Sequence, residues 1–323
     1  MAEWAREVAV FGRVSYDLNP LQSQTPLEDV RTFERSVGGF AGNIATGLAR
    51  LGIPTLIVSA VGDDPQGRYI RRWLTDEGVD VAALTVDPTL RTALAFYESW
   101  PPDHFPITLF RSPTAPDWEI GLDGIPVERI VAAQCLLVSG TALARPTSCA
   151  TMQTLVERRH GERDGRLTVF DLDWRPMAWP DPNGFAARAP AVVTNSDVVV
   201  GGDAEFAAAG LSPEAVAADG SRLVVIKHGP DGASFIRGAD RRHVPGIQVP
   251  VTVALGAGDA FIAALVAGLF EGRGPEEALL RANAAGAIVA SRPMCSPAMP
   301  RMSEIEALLS RGPSAVHGTK APA

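Results

Sequence analysis

Gly256-Ala257-Gly258-Asp259 sets two glycines ahead of an acid, where the β-branched run Val251 to Val253 gives way to helical spacing. Phe261, Leu265 and Leu269 recur at that spacing, so the stretch reads as strand, tight loop and helix. A loop of this kind aims unpaired backbone N–H groups past the helix start, and glycines leave no side chain to block an approaching anion. Asp259 then has two readings: an acid that complements the helix dipole, or a base held beside an anion site. A second glycine turn, Gly38-Gly39, leads into a helical stretch with Asn43 at its start and Gly52 as its stop, another place where backbone can approach a polar ligand.

Other residues stand where an α/β sheet presents ligand-binding side chains. Val8 to Gly12 reads as a buried strand feeding a loop, and Asp17 follows as either a turn former or a ligand contact. Asp171-Leu172-Asp173-Trp174-Arg175-Pro176 closes another strand; its charges could form an ion-pair cluster or a binding site. Lys227-His228-Gly229-Pro230-Asp231-Gly232 reads as a hairpin turn. His104, inside the proline-rich loop Trp100 to Pro106, is a packed loop residue or, as the lesser reading, a catalytic histidine. Arg111 and Arg175 are candidates to meet a carboxylate, because a guanidinium grips one bidentately.

The elements that must position these residues alternate. Strand-like runs at Thr55–Gly62, Cys135–Gly140, Leu167–Asp171, Ser196–Gly201 and Leu223–Lys227, with helical stretches between, predict an α/β fold with a doubly wound, mostly parallel sheet and helices on both faces. Asp64-Pro65 opens a helix with proline at its first position. Ala93–Tyr97 and Ile107–Phe110 are short and partly alternating, and predict a small antiparallel lid. No internal repeat or linker divides the chain, and the tail from Gly312 to Ala323 reads as disordered.

With 323 residues, 46% hydrophobic and 20% charged, the chain is of globular composition. No apolar run approaches the roughly 20 residues needed to cross a bilayer, and Met1 to Glu7 lacks a signal-peptide pattern, so cytoplasm is expected. The net charge of −8 comes without a basic stripe, which argues against nucleic acid. Cys135, Cys149 and Cys295 have no metal-ligand or disulfide spacing and are expected to be reduced and structural.

Taken together, Gly12/Asp17, Gly38-Gly39/Asn43, Lys227 to Gly232, the Gly-Ala-Gly-Asp loop and Asn283 to Ala287 resemble the ribokinase-like (PfkB) carbohydrate kinases, from about Val8 to Leu309. Pro101 to Pro106, Pro113 to Asp117, Asp171 to Met177 and Ala284 to Arg292 are similar to the members that act on 5-dehydro-2-deoxygluconate in inositol breakdown. The resemblance implies one kinase domain over residues 1–311, with lid strands near 14–36 and 92–111 that pair with a second subunit. It implies Asp259 as the base, with Gly256, Ala257 and Gly258 donating N–H groups to the transferred phosphoryl. Asp17, Gly38, Gly39 and Asn43 would bind the sugar; Lys227, Gly229, Gly232 and Asn283 would lie along ATP, with Mg²⁺ bridging its phosphates.

Two departures from the family pattern carry consequences. Val253-Ala254 stands where the family has Asp-Thr, which puts monovalent-cation activation in doubt. Gly202-Asp203-Ala204-Glu205 stands where the family has Asn-x-x-Glu, keeping Glu205 as an indirect metal contact and losing the amide. The reading is an ATP-dependent kinase for the 6-hydroxyl of 5-dehydro-2-deoxygluconate. Its alternatives are a kinase for 2-keto-3-deoxygluconate, fructose or a nucleoside, or a weakly catalytic sugar- or nucleotide-binding regulator. No Gly-x-Gly-x-x-Gly follows the first strand, which argues against a dinucleotide oxidoreductase.

Overall fold

The computed structural model describes residues 6–160, 165–179, 181 and 183–310; the tail read as disordered lies outside them. In chain order the strands are β1 Val8–Phe11, β2 Ser15–Pro20, β3 Phe33–Gly38, β4 Thr55–Gly62, β5 Asp80–Asp87, β6 Leu94–Tyr97 and β7 Ile107–Phe110. They continue as β8 Cys135–Ser139, β9 Leu167–Asp171, β10 Val198–Gly202, β11 Leu223–Lys227, β12 Gly232–Arg237 and β13 Asp240–Pro245. The helices are α1 Phe40–Arg50, α2 Pro65–Asp76, α3 Val127–Ala132, α4 Pro146–His160 and α5 Gly184–Thr194. After them come α6 Asp203–Ala208, α7 Pro213–Ala217, α8 Ala257–Phe270, α9 Pro275–Ala290 and α10 Met302–Ser310.

Nine strands form the main sheet in the order β13-β12-β11-β10-β9-β8-β1-β4-β5. The pairs from β5 across to β11 are parallel, and β12 and β13 add an antiparallel edge. Pleat alternation divides the core: Val8 and Val10 pack with α1, α8 and α9, while Ala9 and Phe11 face α3, α4 and α5. Helices therefore cover both faces, and the strands between them are buried, as parallel strands require. The chain runs from β1 to β4 on one side and later to β8 on the other, so a crevice opens beyond the C-terminal ends of β1 and β8.

Four strands form the lid sheet, in the order β3-β2-β6-β7. Asp17 belongs to it: β2 begins at Ser15 and pairs antiparallel with β3 and parallel with β6. This corrects the loop position read for Asp17. Val14 donates its N–H to buried Asp117 at the point where the chain leaves one sheet for the other. Inward residues Tyr97, Ile107 and Leu109 alternate with outward Phe96 and Phe110 on β6 and β7. At the tip of this hairpin Trp100 and His104 exchange backbone hydrogen bonds at 3.0 and 3.1 Å.

Candidate active site

Two cavities meet beyond the strand ends, and the glycine loop is the partition between them. Leu255, Gly256 and Asp259 line the smaller, of about 110 Å³, under the lid. Ala254, Ala257 and Gly258 line the larger, of about 530 Å³, against α9 and the β11–β12 turn. Gly256 caps α8 in the left-handed conformation, φ +82°, and a Cβ there would stand 3.1 Å from that of Cys295. Gly258 differs: a Cβ built on it meets nothing within 4 Å, so the space beside it is left to whatever enters the larger cavity. Ala257 N–H points to Ala254 O at 3.3 Å, a long bond.

Asp259 is oriented by Asn43, whose Nδ2 donates to Oδ2 at 2.6 Å, while Ser296 Oγ donates to Asn43 Oδ1 at 2.7 Å. Burial pushes the Asp259 carboxyl above its ordinary pKa; the Asn43 hydrogen bond and the charges of Arg175 and Arg13 oppose it, and Asp173 adds repulsion. A carboxylate so placed can take a proton from a hydroxyl in the smaller cavity. Asn43, read as a sugar ligand, lines the smaller cavity and also holds the Asp259 carboxylate through its amide.

The other sugar-side residues separate. Gly39, at φ +78°, caps α1 and lines the smaller cavity; Gly38 does not, because the Asp17 carboxylate occupies the place of its missing side chain. Asp17 itself is fully buried behind Tyr97, accepting from the Tyr97 hydroxyl and from Ser15 Oγ. Burial raises its pKa to about 6, with Ser15 and Tyr97 opposing. Arg111 and Arg175 both line the cavity. So does Arg13, which the sequence reading missed; its only signal is its place just past the end of β1. Arg13 bonds Thr141 Oγ1 at 2.7 Å and Asp173 Oδ2 at 2.9 Å.

Asp173 ties this wall together. It has a positive φ of 30° and accepts from Ser139 and Thr141 as well as Arg13. Although burial alone would raise its pKa, Arg13 and Arg175 hold it well below the usual carboxylate range. The Asp171-to-Arg175 stretch is therefore an ion-pair cluster that also lines the site.

In the larger cavity Lys227, Gly229, Gly232 and Asn283 all reach the wall, together with Pro102 and Asp103 from the lid tip. His104 lines neither cavity. The Asn283 amide donates to Val244 O and Pro245 O, both at 3.0 Å, and so pins the end of β13 against α9. Lys227 Nζ lies 3.2 Å from Asp171 and 3.3 Å from Glu205, and Glu205 accepts the Gly202 N–H at 2.7 Å. Burial works against the Lys227 charge, yet the two carboxylates hold its pKa above the ordinary value.

With Glu205 and Asp171 so engaged, and with no set of three His, Cys, Asp or Glu side chains among the described residues arranged to hold a metal, these donors fit an ion carried by phosphates and water. At Val253 the carbonyls nearby are also in use: Ala290 O accepts from Thr252 N and Val253 N at 2.8 and 3.2 Å, and Ser291 O accepts from Thr252 Oγ1 at 3.1 Å. Among the described residues no helix is long and apolar enough to cross a membrane.

The profile of the pfkB family carbohydrate kinases matches residues 5–302. The 5-dehydro-2-deoxygluconokinase of Bacillus licheniformis is 33% identical over 315 residues, 94% of this chain and 95% of that protein. That of Bacillus subtilis is 33% identical over 317 residues, 95% and 97% of the two chains. Among solved structures, a PfkB protein from Polaromonas superposes with a TM-score of 0.81 at 28% identity, covering 93% of this chain and 99% of that one. A sugar kinase of Pyrococcus horikoshii in complex with ATP does so with a TM-score of 0.80 at 27% identity, covering 92% and 96%. The buried carboxylate of Asp259 on the first turn of α8, an open glycine loop beside it and two cavities joined at that loop agree with these matches: the chain belongs to the pfkB family of carbohydrate kinases and is an ATP-dependent sugar kinase.

Proposed function

We propose that the enzyme transfers the γ-phosphoryl group of ATP to the 6-hydroxyl of 5-dehydro-2-deoxygluconate, a step of myo-inositol breakdown. The relatives' names support this acceptor, and Arg111 is the observation that carries its class. Its side chain is buried and lines the acceptor cavity; Nη1 pairs with Asp117, while Nε and Nη2 have no protein partner. Buried donors left unmet cost about 1–3 kcal/mol each. Nε and Nη2 form the edge of the guanidinium that matches a carboxylate. A carboxylate would meet both at once and match the charge; the hydroxyls of a neutral sugar could accept these bonds but bring no charge.

In the reaction Asp259 takes the hydroxyl proton as the acceptor oxygen bonds to phosphorus and the bond to the β-phosphate oxygen of ADP breaks. The N–H groups of Gly256 and Gly258 would face the charge that develops on the phosphoryl, and that of Ala257 would join them by leaving its long bond to Ala254 O. Mg²⁺ bound with ATP would neutralise phosphate charge; Lys227, which lines that cavity, is held there by Asp171 and Glu205. The outer lid face, with Phe33, Phe96 and Phe110 in edge contact and Phe110 57% exposed, supports a homodimer packed lid to lid.

ADP release measured over 5-dehydro-2-deoxygluconate, 2-keto-3-deoxygluconate, fructose and a nucleoside tests the acceptor. The first should give the highest kcat/KM. Arg111→Lys should raise KM for the acids by about 10- to 10²-fold, the worth of a charged hydrogen bond, and leave neutral sugars nearly unchanged. Faster turnover of fructose or the nucleoside overturns the reading.

A further inference from the structure

Arg111 and Arg175 are chemically alike and line one cavity, yet different elements carry them, Arg111 after β7 and Arg175 after β9. Arg111 lies at the lid, where its charge acts on Asp17. Arg175 follows β9, with its side chain 52% exposed and Nη2 3.2 Å from Asp173 Oδ1. Asp173 in turn donates its backbone N–H to Asp171 Oδ1 at 2.9 Å, and that oxygen lies 3.2 Å from Lys227 Nζ in the nucleotide cavity. Arg175 is thus one carboxylate away from the acceptor-side Arg13 and two away from the nucleotide-side Lys227.

Its electrostatic surroundings agree with this placement. Asp173 does most to favour the Arg175 charge, and Asp259, Glu205 and Asp171 add to it; these are the base and the two acids beside Lys227. Asp259, for its part, feels Arg175 and Arg13. Asp173 engages one corner of the guanidinium and is itself fixed by Ser139, Thr141 and Arg13, so Arg175 is anchored at its base with donors left over.

We propose that Arg175 is a catalytic residue that contacts the γ-phosphoryl oxygens during transfer, while Arg111 alone holds the acceptor's carboxylate. The inference rests on the kinase reaction proposed above and deepens it. As the P–O bond to ADP breaks and the bond to the acceptor oxygen forms, negative charge spreads over the equatorial oxygens, and the guanidinium stabilises it there. The proton goes to Asp259, and Arg175 stays charged throughout. Its effect therefore belongs to kcat and not to acceptor affinity.

Steady-state kinetics of Arg175→Lys and Arg175→Gln, beside Arg111→Lys, with the acid and with the best neutral acceptor separate these roles. A second readout is the affinity for ADP with magnesium and aluminium fluoride, which mimics the phosphoryl in flight, against the affinity for ATP. The Arg175 variants should lose about 10²-fold or more in kcat with both acceptors at nearly constant KM. They should weaken ADP–aluminium fluoride binding by a similar factor while leaving ATP binding close to wild type. A kcat that is kept, with KM raised for the acid alone, overturns the inference and makes Arg175 a carboxylate ligand. Loss of kcat without loss of aluminium fluoride affinity also overturns it, as a purely structural effect. If the wild type prefers a neutral acceptor, the sugar-acid reading fails by itself, and the Arg175 comparison on that acceptor still decides the inference.

Discussion

Asn43 donates its side-chain amide to Asp259 across 216 residues of sequence, at 2.6 Å, and is itself held from behind by Ser296. Asp259 must be ionised to accept a proton, burial raises its pKa, and the Asn43 bond is the chief opposing influence. Asn43→Ala removes a bond that favours the charged form, so the pKa rises further and the activity lost on acidification is lost at a higher pH. A kcat profile against pH should show that acid limb displaced upward; a limb that stays in place would show that Asn43 does not tune the base. Asp259→Asn should lower kcat by about 10²- to 10⁴-fold at every pH.

Gly258→Ala separates folding from chemistry. The added methyl meets no protein atom within 4 Å, and alanine favours a helix start over glycine, so the melting temperature should be unchanged or slightly higher. On the proposed reading the same methyl intrudes where the phosphoryl lies, and kcat should fall by about 10²-fold or more, as when one anion-stabilising contact is lost. Retained turnover would remove Gly258 from the phosphoryl site. Gly256→Ala is the contrasting variant: φ +82° and Cys295 at 3.1 Å make it destabilising as well.

Asp17 makes stability depend on pH. Its pKa rises from 3.8 to about 6 in the folded protein because it is buried, so the folded state holds the proton more tightly than the unfolded chain. This contribution to stability is full below 3.8 and is lost as pH rises through about 6. Asp17→Asn does not titrate, so its melting temperature should gain on the wild type between about pH 4 and about pH 8, by up to about 3 kcal/mol in stability. A constant difference over that range would mean that Asp17 is ionised with its ordinary affinity.

Local signals made much of this legible in the chain. The glycine loop before α8, the turn before α1 and the proline that opens α2 all declare themselves within a few residues, as does the alternation of the lid strands β6 and β7. Strand β13 carries no such pattern because five of its six residues are exposed on the sheet edge. From its neighbours alone Asp17 reads as a loop residue, because nothing between Gly12 and Ser15 announces that the chain changes sheets; only the family resemblance put strands near 14–36. The support around the base was illegible for another reason: Ser296 to Asn43, Tyr97 to Asp17 and Arg13 to Asp173 are separated by 253, 80 and 160 residues, and no spacing rule reaches that far. Likewise Gly38 and Gly39 look equivalent as neighbours, but one accommodates a carboxylate and the other faces the acceptor.

The β6–β7 hairpin has Tyr97, Ile107 and Leu109 over the acceptor cavity, and Pro102 and Asp103 at its tip against the nucleotide cavity. One hairpin flap therefore borders both chambers, and lifting it as a unit would uncover both. Whatever either reactant contributes to seating the flap strengthens the other's binding by the same factor, since such coupling is reciprocal. Closure of the hairpin over both reactants would shut water out of the space between them.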